Sequence, residues 1–135
     1  MTQVVKPYLF LCIITKKKSY GTVMERRHFS NFDIAGFTYW EGALVFQELS
    51  IGTELQLKRE EDNKFDPYAV AIYYEEYKLG FIPRNMNKEI SKFCEQGYAN
   101  IFEVRINRLS PHEGPEEQVG VIVYLKQADR LSTSI

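Results

Sequence analysis

Arg59-Glu60-Glu61-Asp62-Asn63-Lys64-Phe65-Asp66-Pro67-Tyr68-Ala69-Val70 lies between two alternating, strand-like runs. Asn63 and Asp66 each carry a short side chain that accepts hydrogen bonds from backbone amides just downstream, and Pro67 presets its own φ. The stretch reads as a stiff loop that holds Phe65, Asp66 and Tyr68 in fixed directions. A rigid loop bearing aromatics and a carboxylate on a β scaffold is common binding-site material.

Outward from this loop, the pattern is mainly β. On the near side, Glu54-Leu55-Gln56-Leu57-Lys58 alternates as a half-buried strand does. On the far side, Val70–Tyr74 and Lys78–Ile82 pair across a turn at Glu75–Tyr77, and Pro83 ends the second strand. A helix is expected over Asn87–Gln96. Asn87 stands at its N-cap, Glu89 at the positive end of its dipole, and Gly97 at its αL stop. Ile90, Phe93 and Cys94 mark the helix face expected to be buried. Ile101–Leu109 and Val119–Lys126 read as two further strands joined by the polar loop Pro111–Gln118. Upstream, Asn31–Trp40 reads as one β segment and Ala43–Leu49 as a short helix. Residues 8–15 read as a strand, Lys16–Gly21 as a turn, and Thr22–Arg26 as a weaker run. The expected fold is mainly β with one or two short helices, a small, partly open β-barrel of the OB type. Residues 1–31 form a basic strand or hairpin extension, residues 32–126 the barrel, and residues 127–135 a frayed tail.

The 135 residues fit one domain with a real core, and the 44% apolar and 14% aromatic content fit a globular chain. Nine Tyr, nine Phe and one Trp leave rings to spare for a surface platform. Cys12 and Cys94 both lie in apolar stretches and read as reduced core residues of a cytoplasmic protein. No stretch is long enough to span a bilayer, and Tyr8–Ile14 lacks the cleavage pattern of a signal peptide. The net charge of −1 is unevenly distributed: residues 1–31 carry six Lys and Arg against one acid, the rest eleven against seventeen. Lys16, Lys17, Lys18, Arg26 and Arg27 either attract phosphates or form a solvated edge.

Three segments, in order, resemble the HIRAN domain, a small β-barrel module attached to some Snf2-type ATPases and also found alone in bacteria. They are Ile34-Ala35-Gly36-Phe37-Thr38-Tyr39-Trp40-Glu41-Gly42, then Leu57 to Glu60 with Asn63, Asp66 and Ala69-Val70, then Leu79-Gly80-Phe81-Ile82-Pro83-Arg84. The resemblance covers roughly residues 32 to 109. It implies binding of single-stranded DNA, particularly its free 3′ end. Tyr39 and Trp40 fall on the family's aromatic pair, and Phe65 and Asp66 on its Tyr-Asp. Aromatics then stack the bases and Asp66 accepts from the terminal hydroxyl, repelling a continuing phosphate. Arg59, Arg84 and Lys88 complete the expected nucleic-acid-binding set. The chain departs from the family pattern at Thr38, where DNA-binding relatives place Arg, at Glu61 and Lys64, which replace prolines, and at Phe65, which lacks a hydroxyl. Glu60, Glu61 and Asp62 bring acids close to the expected pocket and oppose phosphate binding, with Arg59, Arg84, Lys88 and Lys92 as partial compensation.

Plainer roles compete with these. Asp66 can simply cap its own loop. Tyr39 and Trp40 are adjacent, so on a strand they face opposite sides, with Tyr39 expected outside and Trp40 in the core. Gly36 and Gly80 read as bends or bulges. The main functional rival is a protein-interaction module that keeps the barrel, with a partner protein or an ATPase acting in trans. Enzymatic activity is not expected. Cys12, His28, Cys94 and His112 lack metal-ligand spacing, neither His adjoins a nucleophile motif, and there is no glycine-rich phosphate loop. A Mg²⁺ nuclease built on Glu60, Glu61, Asp62 and Asp66 is the weakest reading. No metal or cofactor is implied.

Overall fold

The computed structural model describes residues 25–128. Within them, six strands form one antiparallel sheet: β1 Arg27–Asp33, β2 Glu54–Arg59, β3 Val70–Tyr74, β4 Tyr77–Phe81, β5 Phe102–Leu109 and β6 Val119–Leu125, in the spatial order β1-β6-β5-β2-β3-β4. Two short helices, α1 Gly42–Val45 and α2 Lys88–Glu95, pack against β4 and β2 respectively. The expected strand at 8–15, the turn at 16–21 and most of the run at 22–26 lie outside the described residues. Among the described residues, the first strand starts at Arg27.

Alternation drives the packing. Val104 and Ile106 on β5 and Val119, Val121 and Val123 on β6 point inward and are almost fully buried. Each such side chain removed from water contributes about 1.5–3 kcal/mol. Three register shifts, between His28 and Ser30, Ile72 and Tyr73, and Ile106 and Arg108, bend the sheet into a curl. The curl does not close. Its two edges are linked by one isolated bridge, where Ala35 N donates to Phe81 O (2.8 Å) and Phe81 N to Ala35 O (2.9 Å). Gly80 makes that approach possible: it sits at φ 151°, and a Cβ there would lie 2.4 Å from the Ala35 oxygen. Glu41 covers the rest of the β4 edge, its amide donating to Lys78 O and its carboxylate accepting from Lys78 N.

Two expectations need correction. Asn31–Trp40 is not one β segment. The strand stops at Asp33, Gly36 turns the chain at φ 72°, and Phe37–Tyr39 forms a turn of 3₁₀ helix. The reason is tertiary: Phe37 drives into the core against Gly42, whose missing Cβ would lie 2.4 Å from its ring. The second correction concerns α2. Its buried face is Ile90 and Ser91 with Cys94 half-buried, whereas Phe93 remains 39% exposed and packs edge-on against Phe102. The helix ends as expected, with Gly97 at φ 88°, Gly97 N donating to Cys94 O and Tyr98 N to Phe93 O.

Candidate nucleic-acid interface

The β2–β3 loop is tied at every level. Its base closes by Glu60 N donating to Ala69 O (2.9 Å). Asn63 Oδ1 accepts from the amides of Phe65 (2.8 Å) and Asp66 (3.0 Å), the local capping its position predicted. Asp66 does two things at once. Its Oδ1 accepts from Tyr68 N (2.9 Å), while Oδ2 accepts from Asn87 Nδ2 (2.8 Å) and lies 3.7 Å from Arg84 Nε. Arg84 also donates to Phe65 O (2.9 Å), so the loop's tip is fastened to the turn before α2. Held this way, Phe65 projects its ring into solvent with 84% exposure.

Facing this loop stands Trp40. Its indole meets Phe81 edge-on at 5.7 Å between centroids. Lys78 Nζ lies 3.8 Å from the indole centroid and 4.5 Å from that of Phe81. The same ammonium pairs with Glu60 Oε2 (2.5 Å), and Asn63 Nδ2 donates to Glu60 Oε1 (3.1 Å). Burial pushes the Glu60 carboxyl up. The hydrogen bonds from Lys78 and Asn63, with the charges of Lys78 and Lys58, outweigh it and hold the group below the ordinary carboxylate range. Together these groups wall an open pocket of about 400 Å³ whose lining includes Ala35, Trp40, Glu60, Phe65, Asp66, Phe81 and Arg84.

Four of the seven residues expected to bind nucleic acid line this pocket: Trp40, Phe65, Asp66 and Arg84. Tyr39 stands outside it, 83% exposed on the turn before Trp40. Trp40 is not core, as strand alternation would require, but 44% exposed, because the chain reaches it through the 3₁₀ turn Phe37–Tyr39 rather than along an extended strand. Arg59 turns away. Its Nε donates to Ser91 Oγ (3.2 Å) and its Nη2 to Pro67 O (3.3 Å), so it braces the loop against α2 from behind. Lys88 lies 5.5 Å from the Tyr68 ring, beyond the pocket wall.

Sequence reasoning missed Lys78, Phe81 and Asn87. Asn87 occupies the N-cap position of α2 but makes no capping bond. Its backbone is helical, and its side chain, almost fully buried, is committed to Asp66. A polar residue next to a helix start signals a cap, and nothing local signals a partner on another loop. Cys94 is half-buried, and burial pushes its thiol up, away from a reactive thiolate. Among the described residues, no three His, Cys, Asp or Glu side chains converge on a metal position, and no helix is long and apolar enough to cross a membrane.

A model of the HIRAN domain matches residues 28–127, most of the chain. This chain belongs to the HIRAN domain family. HIRAN domains are nucleic-acid-binding modules rather than catalytic ones. Two solved structures share the fold of this HIRAN domain. A protein from Lactobacillus plantarum superimposes with a TM-score of 0.62 at 18% identity, covering 78% of this chain and all of its own. The HIRAN domain of human HLTF superimposes with a TM-score of 0.51 at 13% identity, covering 81% of this chain and 87% of its own. At such identities the likeness is one of fold. No curated protein matches the chain in sequence.

Proposed function

We propose that this HIRAN domain binds single-stranded DNA by its free 3′ end, in the pocket between Trp40 and Asp66, and acts without catalysis. The observation that carries the reading is the fixed Asp66 carboxylate in an aromatic pocket. Both of its oxygens are held by one hydrogen bond each, from Tyr68 N and Asn87 Nδ2, and each keeps acceptor capacity. A terminal hydroxyl donates to such a group; a phosphate cannot, and is repelled. Trp40 and Phe65 supply π-faces, each worth about 1–3 kcal/mol per stacked base and indifferent to sequence. Arg84 at the rim is the cation placed for the last phosphate, with its side chain 71% exposed.

The test is fluorescence anisotropy of a short 5′-labelled single strand with a free 3′-hydroxyl, alongside the same strand ending in a 3′-phosphate and the Asp66→Asn variant. Micromolar binding that both changes abolish supports end recognition. Equal binding of the two strands would refute it. Failure to bind at low salt would favour the second reading, a protein-interaction module, for which the acids Glu60 and Asp66 in the pocket wall speak.

A further inference from the structure

One side chain ties the two walls of the pocket together. Trp40 stands just after the 3₁₀ turn, whereas Phe65 and Asp66 belong to the β2–β3 loop. Lys78 on β4 reaches both segments. Its Nζ lies 3.8 Å from the Trp40 indole centroid and 4.5 Å from that of Phe81, and it donates to Glu60 Oε2. Glu60 in turn accepts from Asn63 Nδ2, and Asn63 Oδ1 holds the amides of Phe65 and Asp66. The backbone secures the near end of this chain, since Lys78 N donates to the carboxylate of Glu41, the residue after Trp40. The Lys78 side chain is only 15% exposed. A shielded ammonium is costly unless its charge is answered. Here one carboxylate and two π-faces answer it, and they hold it in one place.

Resting on the end-binding reading above, we infer that Lys78 is the positioning residue of the site. Through Glu60 and Asn63 it fixes the Trp40 plate relative to the Asp66 carboxylate, so that stacking and the hydroxyl contact are made together. The ammonium also closes the indole face it lies on. Trp40 therefore serves one base, on its opposite face, and not two. End selection needs both contacts in register, because stacking alone accepts any part of a strand. Breaking the link leaves the ring able to stack and removes the coincidence. Strands still bind, and the terminal hydroxyl counts for less.

Trp40 is the chain's one tryptophan, so its fluorescence reports on this link in the free protein. Lys78→Met keeps the apolar stem and removes the ammonium. It should raise acrylamide quenching of Trp40 about 1.5-fold, as the covered face opens. In anisotropy titrations it should cut the preference for a free 3′-hydroxyl over a 3′-phosphate about fivefold. Glu60→Gln breaks the same link at its other end, should act alike, and serves if Lys78→Met folds poorly. Were Lys78 mere packing, methionine would cover the indole equally well and neither reading would move. A preference within about twofold of the unaltered protein's in both variants overturns the positioning role and leaves end binding standing. So does a lost preference with unchanged quenching, which places the damage away from Trp40. Equal binding of the two strands by the unaltered protein, or none, overturns both.

Discussion

Asn87 and Asp66 stand twenty-one positions apart in sequence and meet through one 2.8 Å hydrogen bond. Because Asn87 is buried, removing its amide leaves a gap and frees one oxygen of Asp66. Asn87→Ala should cost about 1–2 kcal/mol in urea unfolding and weaken strands with a free 3′-hydroxyl more than it weakens 3′-phosphate strands. A second expectation concerns acid. Glu103 on β5 accepts from Arg26 Nη1 (2.6 Å) and Arg105 Nε (2.7 Å). Burial raises its carboxyl, yet the two arginines pull it below the ordinary value of 4.5, as Lys78 and Asn63 do for Glu60. A depressed folded value means these groups stabilise the protein in full above the ordinary carboxylate range. That contribution disappears as pH falls through the folded value. Unfolding midpoints measured from pH 7 down to pH about 3 should therefore drop most steeply below about 4.5, and Glu60→Gln or Glu103→Gln should each flatten the drop. A midpoint independent of pH in that window would contradict the assignment.

Among the elements, the bridge between Ala35 and β4 is the joint that brings Trp40 to the β2–β3 loop. It depends on Gly80, where a side chain would meet both a carbonyl oxygen and a backbone conformation that L-residues rarely adopt. Gly80→Ala should lower stability by roughly 3 kcal/mol and loosen DNA binding in parallel, readable as a fall in melting temperature. An alanine tolerated without loss would mean that the bridge is dispensable. Strands β2 to β6 and α2 were legible from alternation and capping, within a residue or two. The 31–40 segment was not. Its aromatic, β-prone composition matches a strand, but packing of Phe37 beneath α1 outweighs that propensity. This one misreading also put Trp40 in the core.

For the molecule as a whole, the positive charge that reaches the pocket from the described residues is sparse: Arg84 at the rim, Lys88 beyond it, and Lys78 neutralised by Glu60. With about two phosphates contacted, log affinity for single strands should fall against log salt with a slope near −1.4. A slope of about −3.5 would mean that Lys16, Lys17 and Lys18 also engage the strand. The family, the β-rich fold, the stiffness of the Asn63–Asp66 loop and the aromatic-carboxylate character of the site were all written in local pattern. Short-range rules govern such features: alternation for strands, Asx capping for loops, glycine where φ is positive. The sorting of the cations was not. Arg59 and Arg84 look equivalent in the chain, yet one is drawn behind the loop to Ser91 and the other reaches the pocket. Nor could sequence pair Lys78 with Glu60 or Asn87 with Asp66. These partners are brought together only when the sheet curls, and hydrogen bonds between separate elements leave no periodic trace in the chain.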